Sequence, residues 1–327
     1  MMSRTVIRAL LAALSIVVLA LASPALANEA SISDPVGDGA AGHPDIVSVS
    51  MGHASPGRVE HAIVADEAFA TPDAPCLALH SIYPHDGQFE VCGDGKLHRL
   101  SDGSVVATAE VARPDGKTVV YRFAWQDLGG SSAYRWRAES RAAACPLGRC
   151  DVAPAQFTLH ARHVTYEQWA LRFLQEVDAK NCAANRIAVV AWEVNEGTAA
   201  VFNPLATTYD MPGSTQFNST GVRNYISMEQ GLDASRLTIE HGWSTYGYGP
   251  IVERLRKCAP AMWTAKAIRA SSWCHGCSGG QYVTGLIIPV RKSYASYAAR
   301  DISTYSTGTH SPEPLLPGAP PDETPPL

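Results

Sequence analysis

Beyond its first 27 residues the chain has no apolar stretch long enough to cross a bilayer, which takes about 20 residues. It has no run of lysine and arginine of the kind that marks a nucleic-acid site, so that partner is set aside. No segment repeats itself, so the fold is not built from copies of one short unit. A Gly-x-Ser-x-Gly elbow is also missing. "GWSTYG" (242–247) misses it by one residue, which leaves serine hydrolysis without an anchor. Zinc would need two close ligand pairs, and only "CHGC" (274–277) offers one.

What the chain does have begins at its start. Arg4 and Arg8 precede an apolar run from Ala9 to Ala22, followed by Ser23-Pro24-Ala25-Leu26-Ala27. A basic start, a short apolar core and an Ala-x-Ala end mark a cleavable secretory signal, with the cut expected after Ala27; the alternative is an uncleaved N-terminal anchor. The expected mature protein is therefore secreted, extracellular or held in the cell envelope, and not membrane-spanning. Its 300 residues fit two domains. Nothing in the residues speaks to oligomeric state.

Eight cysteines, an even count in an exported chain, read as disulfides. Proximity along the chain suggests Cys76–Cys92, Cys145–Cys150, Cys182–Cys258 and Cys274–Cys277. "WCHGC" (273–277) copies a thioredoxin-like active site but lacks the preceding strand and following helix that activate the first thiol. A local structural disulfide is expected there instead.

Residues 28–163 carry short, partly alternating runs divided by turns such as "PHDG", "CGDG" and "RPDGK". Strands are expected over 45–51, 60–66, 76–83, 87–92, 104–111, 117–125 and 133–140, which favours a β-sandwich. The texture changes near His163. "VTYEQWALRFLQEVDAKN" (164–181) is amphipathic, with Thr165 as N-cap. Residues 183–197, 231–242, 249–258 and 261–271 give four more helices, separated after the second by a long loop from Thr198 to about Asn224. Ile187 to Trp192 is apolar on all sides, the mark of a buried helix. The expected fold class is α+β multidomain: a β-sandwich at 28–160, then a mainly α domain at 164–300. A proline-rich tail at 301–327 is expected to be disordered. Lysine plus arginine stand at 11 against 17 acidic residues over 28–163, and at 13 against 10 over 164–300. That mild basic bias of the second region suits an anionic polymer such as a cell wall.

Glu193 and Glu196 stand at the exit of the buried helix, just before Gly197 and a long polar loop. Apolar surroundings raise a carboxyl's proton affinity. A carboxyl that stays protonated near neutral pH can donate to a glycosidic oxygen, which sugar departure requires. Glu196 is the favoured acid because helix ends open into clefts more readily than helix interiors. Glu193, three residues back on nearly the same face, is its rival.

The ordered set "WEVNEGTAAVFNPLATT", "FNSTGVRNYISMEQGLDA" and "YGPIVERL" resembles the lysozyme-like muralytic domains of actinobacterial and phage cell-wall proteins, over about residues 165–275. It is similar, more distantly, to glucosaminidases and lytic transglycosylases. The resemblance implies a lysozyme-like fold, peptidoglycan glycan strands as partner and substrate, and Glu196 as acid. It also maps the family's Asn-Pro-Leu asparagine onto Asn203 and the following tyrosine onto Tyr225. The chain departs from the pattern in lacking Glu-Ser and Gly-Leu-Met-Gln, and in carrying Cys182, Cys258 and "WCHGC".

The loop offers Asn203, Thr207, Thr208, Tyr209, Gln216, Asn218, Asn224 and Tyr225 to sugar hydroxyls and ring faces. Asp210, Glu229 and Glu240 are candidates for a second carboxylate; failing these, the substrate's own acetamide or 6-hydroxyl would serve. "DPVGDGAAGHPDI" (34–46) brings Asp34, Asp38 and Asp45 together as a candidate structural calcium site, with no cofactor required for catalysis. His160 and His163 lack a third metal ligand. The expected function is a secreted peptidoglycan hydrolase or lytic transglycosylase. The alternative is a non-catalytic glycan-binding or structural envelope protein.

Overall fold

The computed structural model describes residues 30–55, 58–69, 75–145, 148–274 and 280–305. The expected signal segment, Cys277 and the tail beyond residue 305 lie outside the described residues.

Among the described residues, all strands of three or more residues fall between residues 30 and 161, in two antiparallel sheets. One sheet holds β1 (Ala30–Ser33), β2 (Ile46–Ser55), β3 (Arg58–Ala65), β9 (Thr118–Ala124) and β8 (Glu110–Ala112), in that spatial order. The other holds β11 (Arg149–Ala161), β10 (Ala133–Arg141), β4 (Cys76–Ser81), β5 (Gly87–Val91), β6 (Lys96–Arg99) and β7 (Val105–Thr108). Alternate residues on each strand turn inward, as strand geometry requires. Val59 and Ile63 of β3, with Val119, Tyr121 and Phe123 of β9, meet Leu77 and Leu79 of β4, Phe89 of β5 and Trp136 of β10 in one buried cluster. Each such side chain contributes about 1.5–3 kcal/mol on leaving water.

Two features differ from expectation. The strand expected over 104–111 is two strands, which join different sheets on either side of buried Ala109. The Ala109 N–H bonds to the Gly95 carbonyl at 2.8 Å at this crossing. β11 is an added strand. Its Pro154 reads as a strand breaker, but it sits where the register jumps from Trp136↔Thr158 to Ala138↔Ala153, so its missing N–H costs no ladder bond.

Seven α-helices follow among the described residues: α1 (Tyr166–Glu176), α2 (Ala183–Glu196), α3 (Met228–His241), α4 (Gly249–Arg256), α5 (Ala261–Ala270), α6 (Ile287–Lys292) and α7 (Tyr294–Ala298). Thr165 caps α1 and forms a reciprocal capping box with Gln168. Gly197 ends α2 with φ 51°, a left-handed cap. Ala188 to Trp192 of α2 are all buried, in a cluster built from α1 and α3 to α6. α3 starts three residues before its expected first residue, because Ser227 caps it by accepting from the Gln230 N–H. A β-carbon on Gly231 would lie 1.9 Å from the Phe202 carbonyl oxygen, so only glycine lets α3 approach the loop this closely.

The strands and helices share buried surface. Ile82, Ala133, Leu159 and Ala161 belong to the helical cluster. Ser132 donates to Glu229 through its N–H and its hydroxyl, and Tyr83 donates to Asp233. The tail is ordered at its start, contrary to expectation. Ile302 is buried, its N–H bonds the Val164 carbonyl, and the Ser303 carbonyl accepts from Phe202 N–H at 2.8 Å. No helix among the described residues is long and apolar enough to cross a membrane.

Three of the expected disulfides are formed: Cys76–Cys92, Cys145–Cys150 and Cys182–Cys258. Cys274 is also disulfide-bonded. The Cys182–Cys258 bridge closes 76 residues of chain, ties the N-terminus of α2 to the end of α4, and by loop entropy contributes about 4 kcal/mol. Replacing both cysteines by serine should lower the urea midpoint, with little change in far-UV dichroism below the transition. An unchanged midpoint would show that the bridge constrains nothing.

Candidate active site

α2 carries both candidate acids, and the structure separates them. Glu193 is 0% exposed and neither carboxyl oxygen has a hydrogen-bond partner among the described residues. Burial alone pushes its proton affinity well above the usual carboxylate range. It is an uncharged group inside the core, within the electrostatic reach of Tyr166 and Tyr294.

Glu196 lies one turn on, at the helix end, and is half-buried. Burial raises its pKa to about 7, while the hydrogen bond from Tyr282 works in the opposite direction. Tyr282 donates its hydroxyl to Glu196 Oε1 from 86 residues further along the chain. The next residue fixes that approach. Val283 is fully buried, its N–H bonds Asn195 Oδ1 at 3.0 Å, and its φ of 55° is a costly conformation for a β-branched side chain. Core packing and the Asn195 bond hold it there, beside the tyrosine that meets the acid.

A row of rings leads outward from this point. Trp192 meets Trp273 edge-on at 4.7 Å, Trp273 meets Tyr248 at 5.0 Å, and Tyr248 meets Tyr246 at 5.8 Å. Tyr246 is 51% exposed. The Trp273 indole N–H bonds the Leu205 carbonyl at 3.2 Å, so the row also supports the loop after α2.

That loop corrects three expected sugar contacts. Asn203, Thr207 and Tyr225 are buried and bonded to one another. Asn203 accepts from the Thr207 N–H and hydroxyl (2.8 and 3.0 Å) and donates to the carbonyls of Thr207 and Arg223 (2.9 and 2.7 Å). Its amide is then fully used. The Tyr225 hydroxyl meets Thr207 Oγ1 and the Tyr209 carbonyl, each at 2.9 Å. These residues shape the loop and leave no polar atom for a ligand. Gln216 and Asn218 are exposed, on and beside the short hairpin of Thr215–Gln216 with Arg223–Asn224. The Asn218 side chain is spent on Thr220 and the Val222 N–H. Thr208 is exposed, Tyr209 stacks on His241, and Asn224 holds the Val201 N–H.

The candidates for a second carboxylate are engaged elsewhere. Asp210 pairs with Arg223, Glu240 with Arg236, and Glu229 with Ser132. "WCHGC" begins in a 3-10 turn, Ser272–Cys274, after α5, with its first sulfur already oxidised. No free cysteine is present among the described residues. Ser244 is exposed. His160 is buried against Trp125 while His163 pairs with Asp301, so they form no joint site.

In the strand region Asp34, Asp38 and Asp151 bring carboxylate oxygens within 4.8 Å of one another. Asp34 is pushed up to about 7 by burial and then by its acidic neighbours, Asp151 first. Asp45, expected in this set, caps its own loop instead: it accepts from the Gly37 and Gly39 N–H groups at 2.5 and 2.8 Å. Asp151 takes its place from 117 residues beyond Asp34, a proximity that no local motif encodes.

No protein-family model matches the chain, and no curated protein matches it significantly.

Replacing Glu193 by methionine removes a desolvated carboxyl without emptying its space, and should stabilise the fold. The sign follows from linkage. A carboxyl whose folded pKa lies above its usual 4.5 makes the folded state lose stability as pH rises through 4.5. Methionine has no such loss, so the gap between variant and wild type should widen from pH 5 to pH 8. Urea titrations at both pH values test this; a less stable variant, or a constant gap, would mean that Glu193 has a native partner.

Proposed function

We propose that this chain is an exported enzyme that cleaves the glycan strands of peptidoglycan, as a muramidase, glucosaminidase or lytic transglycosylase, with Glu196 as general acid. The observation that carries this reading is the state of Glu196: a half-buried carboxyl at a helix end, its pKa raised to about 7, beside a row of rings that reaches solvent. The resemblance of residues 165–275 to lysozyme-like muralytic domains points the same way.

In this reading protonated Glu196 gives its proton to the glycosidic oxygen as the bond to the anomeric carbon breaks. The departing sugar leaves as a neutral alcohol. The positive charge developing at the anomeric carbon is taken up by the substrate's own acetamide or 6-hydroxyl, since Asp210, Glu229 and Glu240 are committed elsewhere. Rings such as Tyr246 would stack on pyranose faces. Tyr282 holds the carboxyl in place and limits the rise in its proton affinity. The two facing sheets would form an accessory β-sandwich, joined to the helices through Ser132 and Tyr83.

The test uses the mature protein, a Glu196→Gln variant and a Tyr282→Phe variant on cell-wall preparations. Glu196→Gln should lose at least a hundredfold in activity, in line with the worth of a positioned acid. The acid must be protonated, so wild-type kcat/KM should fall as pH rises through about 7. Tyr282→Phe removes a donor that favours the charged form, and should move that limb to higher pH. Equal clearing by wild type and Glu196→Gln would remove Glu196 from the mechanism. Binding to walls without released muropeptides would instead establish a glycan-binding module.

For the aspartate cluster we propose calcium, held by Asp34, Asp38 and Asp151. Millimolar calcium should raise the Tm by a few degrees over EDTA, and Asp34→Asn should abolish the rise. No calcium effect on the wild-type Tm would rule this out.

A further inference from the structure

Charge is segregated along the helical region. Residues 249–300 hold eight lysines and arginines and a single acidic residue, Glu253. Part of this has a local cause. Arg254 and Arg256 sit in the last turn of α4, Arg269 in that of α5, and Arg291 with Lys292 in that of α6, where cations complement the free carbonyls of a helix end. Lys266 lies in the body of α5, and that cause does not cover it.

The fold then gathers cations at one end of α4. The Cys182–Cys258 bridge ties the segment before α2 to the residues after α4. Asn185 Nδ2 donates to the carbonyls of Lys180 and Leu255, at 2.7 and 2.6 Å, and Arg256 Nε donates to the Val177 carbonyl at 3.1 Å. Lys180, Arg254, Arg256 and Lys257 are thereby held near one another, and all are exposed. α5 packs against α4 and brings Trp263, 53% exposed, beneath the Arg254 guanidinium at 5.5 Å. Lys266 follows one turn on along the same side of α5 and is exposed too. Among the described residues none of these five cations forms an ion pair. Asp178 and Glu253, the acids of the same segments, are exposed and pair with none of them.

We infer that this end of the helical region docks on a surface of anionic phospholipid headgroups, with Trp263 at headgroup level and the five cations around it. Three observations select that partner. An exposed tryptophan among long basic side chains suits a membrane interface: the indole is apolar with one polar edge, and the aliphatic stems bury while their charges reach phosphate. Sugar is disfavoured by what the face lacks. Between Ile251 and Ala270 the only hydroxyl or amide side chain is Thr264, which is buried, so glycan hydroxyls would meet no neutral polar partner. A second copy of the chain is disfavoured by charge, because a symmetric contact would set these cations against themselves. The inference does not depend on Glu196 or on the reaction proposed for it.

The test is co-sedimentation of the full mature chain with vesicles of phosphatidylglycerol and phosphatidylcholine in equal parts, at low ionic strength. The wild type should bind these vesicles, should not bind phosphatidylcholine alone, and should bind less as salt rises. Arg254→Gln with Lys257→Gln should weaken partitioning roughly tenfold or more, since each cation near an anionic surface contributes about fivefold. Arg254→Lys with Lys257→Arg keeps both charges and should stay within about twofold of the wild type, which separates lost binding from lost folding. Lys96→Gln with Arg99→Gln, which removes two exposed cations from β6, should also stay within about twofold. At saturating vesicle, brominated phosphatidylglycerol should quench part of the tryptophan emission, and Trp263→Phe should remove that part. No binding by the wild type, equal binding to phosphatidylcholine alone, equal weakening by the β6 control, or quenching unchanged in Trp263→Phe overturns the inference. So does tighter binding to polyglutamate or to a thymidine oligonucleotide than to the vesicles, which would mean a soluble polyanion instead.

Discussion

The desolvation of α2 is the constraint from which the rest of the helical region follows. Ala188 to Trp192 are covered by the surrounding helices, and the cover extends to Glu193. A carboxylate there would be an uncompensated charge in the core, so the group keeps its proton. One turn later the cover ends at Gly197, and Glu196 is only partly desolvated. The two carboxyls differ in depth rather than in chemistry. That difference turns one into an inert core group and the other into a group poised near neutrality.

Much of this is legible in the amino-acid sequence. The apolar circumference of α2, the Thr165 cap and the Gly197 stop are local signals, and local signals survive folding. Proximity alone suggests four disulfide pairs, and three stand among the described residues; two close short loops of 16 and 5 residues, while Cys182–Cys258 spans 76. What escapes is non-local or masked by proline. Pro154 hides β11 by sitting in its bulge. Pro289 hides α6 although it falls in the first turn, where its missing N–H is harmless. Tyr282 and Asp151 reach their sites from 86 and 117 residues away, and no spacing rule spans such distances.

The polar loop illustrates a different failure. Asn203, Thr207 and Tyr225 carry the side-chain chemistry of a sugar site, and sequence order places them beside the acid. Composition cannot tell whether such groups face solvent or one another. Here Phe202 and Ala206 adopt left-handed φ values of 50° and 54°, which fold the loop back on itself. The turn leaves backbone N–H and carbonyl groups inside, and buried backbone groups must be satisfied. Asn203 meets both kinds at once, which explains an amide at that position without any ligand. The loop is thereby held closed by its own side chains.

The neutrality of Glu193 bears on what Glu196 can do. A negative charge three residues away on the same helix would raise the proton affinity of Glu196 further and lock the acid in its protonated form. An acid that holds its proton too firmly is a poor donor, and one that regains it too slowly cannot turn over. With Glu193 uncharged, the tuning of Glu196 is left to burial on one side and to the Tyr282 hydroxyl on the other. These two influences oppose each other and both arise from fixed, packed groups. A change at Val283 or Asn195, neither of which touches the carboxyl, would therefore act on the acid through the placement of Tyr282.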